Sequence, residues 1–252
     1  MGEMPVETSR VEGFAGTPLA VHQMGRGRPV LLLHGLFSSA QVNWIKYGHA
    51  ARIAARGFRV IMPDFRVHGE SGAPHDPAAY PDDVLVADTR AVIAALGLED
   101  YDLGGFSLGA RTTARLLTLG LRPRRAILAG MGLEGLTGWA HRRDFFLSVI
   151  ADRDTIARGD SRWVALQFMK TMKVDVEAAR LLLGTFQDVA LSALEGIDLP
   201  VLVVCGDEDQ DNGSAPALAD KLPDATLRIV PGTHMSSAAK PDLGEAMADF
   251  LE

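Results

Sequence analysis

Gly105-Phe106-Ser107-Leu108-Gly109 sits where an apolar strand fed by Tyr101 to Gly104 must turn abruptly into a helix, Leu108 to Leu119. Glycine on both sides of Ser107 lets strand and helix approach closely, so the serine is held in a strained turn with its hydroxyl exposed above the sheet. The helix that follows has its positive dipole end beneath Ser107, which favours negative charge developing there. A Gly-rich loop that happens to contain a serine is the bland alternative. With 26 Gly in 252 residues, chance alone supplies about 0.1 such pentapeptides, so the pattern takes its weight from its surroundings.

Those surroundings repeat one arrangement. Pro29-Val30-Leu31-Leu32-Leu33 reads as a fully buried strand and ends in His34-Gly35-Leu36-Phe37. Leu199 to Cys205 is a second buried strand, ending in Gly206-Asp207-Glu208-Asp209, and Thr226 to Val230 leads into Pro231-Gly232-Thr233-His234. Each candidate group therefore follows the carboxyl end of a predicted strand, the edge at which open parallel sheets assemble their sites.

Elsewhere strands and helices alternate. Glu3 to Val11 and Leu19 to Met24 read as antiparallel edge strands joined by the turn at Gly13 to Gly16. Asn43 to Arg56 is expected to be one helix stopping at Gly57, followed by a strand from Phe58 to Met62. Asp82 and Asp83 open a helix predicted to carry Val84, Ala87, Ala91 and Ala95 on one face and to end at Gly97. Arg125 to Ala129 is another strand, and the last helix spans Pro241 to Leu251. The pattern implies a mostly parallel sheet covered on both faces. Residues 132 to 194 break the alternation and read as helical throughout, with Gly159 and Gly184 as breaks. Their apolar residues, among them Trp139, Phe146, Trp163, Phe168, Leu181 and Phe186, recur at three- and four-residue intervals, as ordinary packing would also require.

Taken together, the four ordered motifs resemble the α/β-hydrolase family over nearly the whole chain except this middle stretch. The resemblance implies an α/β fold with a mostly parallel eight-stranded sheet flanked by helices. It divides the chain into a core, 1–131 and 195–252, and a helical cap, 132–194, which shapes the acyl pocket. It places Ser107 as nucleophile, with His234 as base toward Ser107 and acid toward the leaving group. Its usual spacing puts the orienting acid three residues past Gly206, at Asp209. Asp207 is the next choice, a turn or cap residue in its structural reading, and Glu208, Asp211 and Glu134 are further carboxylates nearby. The oxyanion hole is expected from the main-chain amides of Leu108 and Leu36, with Phe37 in reserve for Leu36. Phe37, Trp139, Phe146 and Met235 are expected to line the substrate pocket.

Asp64-Phe65-Arg66-Val67-His68-Gly69-Glu70-Ser71 resembles another turn of the family, with Val67 in place of a Gly. Asp64, Arg66 and His68 are read as structural, holding the loop beneath the site by hydrogen bonds. His22, His49, His75 and His141 have no motif support. Arg142 and Arg143 could meet an anionic substrate, although a solvated helix face is the simpler expectation.

Composition limits the rest. A chain of 252 residues with 47% hydrophobic content can bury one large core. The net charge of −7 argues against a nucleic-acid footprint, which needs a basic face. Met1 to Arg10 does not look like a secretory signal, and no apolar run is long enough to span a membrane. One cysteine, Cys205, read as inert core, excludes an intramolecular disulfide and makes the cytoplasm the default. No Cys/His metal spacing or dinucleotide loop is visible, so neither metal nor cofactor is expected.

Serine at position 107 sets the chain apart from relatives that place Asp there to open epoxides or haloalkanes. What the resemblance leaves is hydrolysis of carboxylic esters with small to medium, largely uncharged acyl groups, through an acyl-enzyme. A lactonase, a carbon–carbon bond hydrolase, a haloperoxidase-like perhydrolase and a non-catalytic ligand receptor are the alternatives. A small-molecule ester is the expected partner, and monomer and homodimer are both open.

Overall fold

The computed structural model describes residues 4–252. Glu3, where the first strand was expected to begin, and the start of the Met1–Arg10 segment lie outside the described residues. Eight strands form one sheet: β1 (Glu7–Glu12), β2 (Pro18–Gly25), β3 (Arg28–Leu33), β4 (Phe58–Pro63), β5 (Asp102–Phe106), β6 (Ala126–Ala129), β7 (Val201–Gly206) and β8 (Ala225–Val230). Their order is β1-β2-β4-β3-β5-β6-β7-β8. β1 and β2 pair antiparallel, as do β2 and β4, and every later neighbour is parallel.

The parallel strands are apolar on both faces because helices cover both. Val30 and Leu32 of β3 face one layer, with Trp44 and with Ile53 of α1 (His49–Ala55). The alternate residues, Leu31 and Leu33, face the other layer, with Val84 and Val92 of α2 (Val84–Ala95) and Leu116 of α3 (Leu108–Thr118). Between β6 and β7 lie α4 (Leu133–Thr137), α5 (Trp139–Ala151), α6 (Trp163–Thr171), α7 (Val176–Leu183) and α8 (Leu191–Leu194). Val149, Ile150, Leu166, Met169 and Leu182 of this stretch belong to the same apolar cluster as Leu31 and Leu33. The chain ends through α9 (Ala215–Ala219), α10 (His234–Ser237) and α11 (Pro241–Leu251); Met247 and Leu251 of α11 complete the first layer.

Three local expectations need correction. The predicted helix from Asn43 to Arg56 is two pieces, a π-type turn over Gln41–Ile45 and α1. Gly48, at φ 75°, breaks it, because a left-handed residue cannot continue a right-handed helix and glycine adopts that conformation most readily. α2 buries Leu85, Asp88, Thr89 and Val92 rather than Ala87, Ala91 and Ala95. The reason is Asp88, whose two carboxylate oxygens each accept from Arg66 at 2.6 Å in a fully enclosed pair. The stretch 132–194 is also not helical throughout: residues 152–162 form turns, with Gly159 among them, and Gly184 ends α7.

Candidate active site

The sheet edge brings Ser107, His234 and Asp209 into one hydrogen-bonded row. Ser107 occupies φ 54°, ψ −112° between β5 and α3. Its neighbours must be glycine: a Cβ on Gly105 would stand 2.2 Å from the Gly109 carbonyl carbon, and one on Gly109 would stand 2.0 Å from the Leu33 carbonyl oxygen. Crowding of backbone on backbone leaves no room to relax, so the pattern read from sequence has a steric cause here.

His234 Nε2 lies 3.0 Å from Ser107 Oγ, and its Nδ1 lies 2.8 Å from Asp209 Oδ2. A carboxylate can only accept, so the ring proton is assigned to Nδ1 and Nε2 is left to accept from the serine hydroxyl. All three residues are buried. Burial works to raise the Asp209 carboxyl, but the hydrogen bond and charge of His234 and the amide of Asp211 outweigh it and hold the group below its ordinary value. Cys205 Sγ also donates to Asp209 Oδ2, at 3.4 Å. Burial and the same carboxylate push this thiol up to about 12, so it stays a neutral donor. This contact was not foreseen from the sequence.

Of the other carboxylates, Asp207 accepts from the Gly232 amide at 2.6 Å and braces the loop that carries His234. Glu134 accepts from the Ser214 amide at 2.7 Å. Neither is hydrogen-bonded to His234.

The loop after β3 is tied down at several points. Gly35 N donates to Asn43 Oδ1 at 2.8 Å, Ala40 N to Asp64 Oδ1 at 2.7 Å, and Phe65 N to His34 Nε2 at 2.9 Å. Because His34 Nε2 accepts, its proton sits on Nδ1, which donates to Gly35 O at 2.8 Å. Burial lowers the pKa of His34, consistent with a neutral ring. His68 Nδ1 donates to Arg66 O at 2.8 Å, and burial lowers this ring to about 3. Asp64 also meets His22 at 3.2 Å and the Glu70 amide at 2.9 Å. Asp64, Arg66 and His68 are all buried within this scaffold.

A cleft opens over Ser107, lined by Leu36, Leu108, Arg111, Met131, Gly135, Trp139, Arg142 and Asn212. Among the described residues, neither the Leu36 nor the Leu108 amide donates to another protein group, which leaves both free beside the serine. The enclosed space of the cleft is small, about 20 Å³. A neighbouring cleft shares Leu108 and Arg111 but does not reach Ser107.

Of the four residues expected to line the pocket, Trp139 does so. Phe37 is buried against Phe146, edge to face at 5.4 Å, and stacks on His68 at 6.1 Å. Neither Phe37 nor Phe146 lines the cleft, and Met235 is 55% exposed and outside it. Arg142 was expected on a solvated face and instead lines the cleft, half-buried. Arg111 and Asn212 were not anticipated. A charged residue inside the otherwise small stretch Gly109-Ala110-Arg111-Thr112-Thr113-Ala114 was the available signal for Arg111, whereas nothing in the sequence marks Asn212.

The sequence profile of the α/β-hydrolase fold matches residues 28–126. The solved esterase of Exiguobacterium antarcticum superposes with a TM-score of 0.80 at 20% identity, covering 97% of this chain and 99% of that one. The fold is that of the α/β-hydrolases. The chain is 27% identical to a non-heme haloperoxidase of Rhodococcus erythropolis, across 94% of this chain and 97% of that protein. It is also 35% identical to the AB hydrolase superfamily protein YisY of Bacillus subtilis over 99 residues, which span 39% of this chain and 35% of that protein. Among the described residues no group of His, Cys, Asp and Glu side chains could hold a metal ion, and no helix is long and apolar enough to cross a membrane.

Proposed function

We propose that this protein is a serine hydrolase that cleaves carboxylic esters of small to medium acyl groups through an acyl-enzyme. The observation that carries the reading is His234, with one ring nitrogen 3.0 Å from Ser107 Oγ and the other 2.8 Å from Asp209 Oδ2. A serine hydroxyl is hardly ionised at neutral pH and needs such a base to attack a carbonyl. Ser107 Oγ adds to the ester carbonyl as its proton passes to His234 Nε2. Asp209 holds the ring and stabilises the imidazolium. The Leu36 and Leu108 amides donate to the oxyanion, where preorganised donors act without reorganising. His234 then returns the proton to the leaving alkoxide, and the ester bond breaks. Water attacks the acyl-enzyme with the same histidine as base, releasing the acid and restoring Ser107. The helices of residues 132–194 act as the cap over the acyl pocket. We place the enzyme in the cytoplasm on its single cysteine alone.

The full-length similarity to a haloperoxidase favours one second reading, in which hydrogen peroxide competes with water for the acyl-enzyme and a peracid leaves. It uses the same residues. The test is hydrolysis of p-nitrophenyl acetate and butyrate by the wild type and by Ser107→Ala, both verified as folded by circular dichroism. Turnover in the wild type, reduced about 10⁴-fold or more in the variant, is expected. Equal turnover in the two would overturn the reading.

A further inference from the structure

Two guanidinium groups reach the Ser107 cleft, and no carboxylate lines it. They are not equivalent. Arg111 is tied into the protein: Nη1 donates to Gly135 O, and Nη2 to Gln187 O and to Asp188 Oδ1 at 2.6 Å. That group is neutralised and structural. Arg142, in the first turn of α5, makes one protein hydrogen bond, from Nη1 to the main-chain oxygen of Asp211. Its neighbour Arg143 pairs with Asp144 at 3.0 Å, but Arg142 has no carboxylate within salt-bridge distance among the described residues. Asp209, close by, is engaged by His234, Cys205 and the Asp211 amide. A guanidinium carries five N–H donors, so most of those on Arg142 are available to a ligand. Burial lowers this group from its ordinary value, against the opposing charges of Asp211 and Asp209, neither of which is close enough to pair with it.

The position of the cleft says which part of a substrate meets it. A leaving alcohol must lie against His234 Nε2 to receive its proton, and His234 does not line the cleft. The cleft therefore holds the acyl half. Resting on the serine-hydrolase reading above, we propose that the preferred substrates are half-esters of dicarboxylic acids, whose distal carboxylate seats on Arg142. This replaces the expectation of uncharged acyl groups. The neutral polar group that also lines the cleft, Asn212, already donates from Nδ2 to Gly130 O at 2.8 Å, which leaves Arg142 as the anchor for the anion. A carboxylate there gains a charge-assisted, potentially bidentate contact.

The test compares two near-isosteric esters, monomethyl glutarate, an anion, and methyl glutaramate, its neutral amide counterpart, with the succinate and adipate homologues run alongside to cover reach. Wild-type kcat/KM should favour the anion by about tenfold or more, as expected for a charge-assisted hydrogen bond. Arg142→Met should reduce that ratio by a similar factor, chiefly through KM, and Arg142→Lys should restore part of it. A wild-type ratio near one at every chain length overturns the proposal, as does a ratio unchanged in Arg142→Met. If Arg142→Met does not fold, the wild-type ratio and Arg142→Lys decide. Calorimetric binding of glutarate separates the two levels of the argument. If the wild type turns over neither these esters nor p-nitrophenyl butyrate, the serine-hydrolase reading falls. Glutarate binding that is lost in Arg142→Met then still supports the anion site, and its absence in the wild type removes that site too. Turnover of p-nitrophenyl butyrate alone, with no glutarate binding, overturns only the anion site.

Discussion

The two walls of the cleft over Ser107 are built on different principles. On the sheet-edge wall the side chains that hold the reacting groups have partners supplied by neighbouring loops, while the Leu36 and Leu108 amides are left open toward the cleft. His34 is held by Gly35 and Phe65, Asp64 by His22, Ala40 and Glu70, and Asp209 by His234, Cys205 and Asp211. The helical wall is held mainly by packing. Trp139 is wedged against Phe186 at 4.7 Å and under Arg111 at 5.5 Å, and Arg142 makes a single hydrogen bond to the protein. Chemistry needs reacting groups fixed to a fraction of an ångström, which the hydrogen bonds that brace the strand-end loops provide. Choice of substrate needs a group whose hydrogen bonds await a ligand.

The contrast sets the expected order of mutational effects. Asp209→Asn replaces an acceptor-only group by an amide and should permit the wrong His234 tautomer. We expect kcat to fall about 10²–10⁴-fold with KM little changed, read by steady-state hydrolysis of p-nitrophenyl butyrate. A fall under threefold would mean that another acid, with Asp207 the nearest in sequence, can orient the ring.

On the helical wall, Trp139→Ala removes a buried side chain together with the hydrogen bond from Nε1 to Leu183 O. A stability loss of about 3–5 kcal/mol is expected in denaturant melts, with a changed preference for acyl length. Unchanged stability would show that these helices contribute little to the folded state.

The smallest effect concerns acid. His34 and His68 on the sheet-edge wall, and His49 beneath α11, have pKa values lowered by burial. The unfolded chain therefore binds more protons below pH 6.5 than the folded one. The stability these rings contribute is complete above that pH and is lost as pH falls toward their folded values. His22, raised by its hydrogen bond to Asp64 despite the opposing effect of burial, acts in the opposite sense and offsets one of them. On the order of 1 kcal/mol per pH unit per net imidazole is expected. Urea midpoints at pH 7 and pH 5 measure it, and a midpoint that does not drop at pH 5 contradicts the assignment of neutral buried rings.

How much of this could be read from sequence follows the same division. The strand ends were legible because a fully buried parallel strand is a continuous apolar run, and the loop after it holds its group at a short, fixed spacing. Gly105, Ser107 and Gly109 fall within five residues, so their constraint is local. The helical wall was not legible, since an apolar stripe tells that a helix buries a face but not against what. Phe37 and Phe146 satisfy each other, and Arg142 reached the cleft because residues nearly seventy positions on supply the Asp211 carbonyl that holds it. The same limit misassigned α2, whose buried face is set by Arg66, on a different loop, finding Asp88. Charged pairs between distant segments leave no periodic trace.

Reaction with a fluorophosphonate, followed by intact mass and peptide mapping, tests most directly whether the sheet-edge wall makes a nucleophile. One adduct per chain, on Ser107, formed quickly by the wild type and at least a hundredfold more slowly by His234→Ala, is the result expected of the Ser107–His234–Asp209 row. An unlabelled wild type, a different labelled residue, or equal rates in both proteins would contradict it.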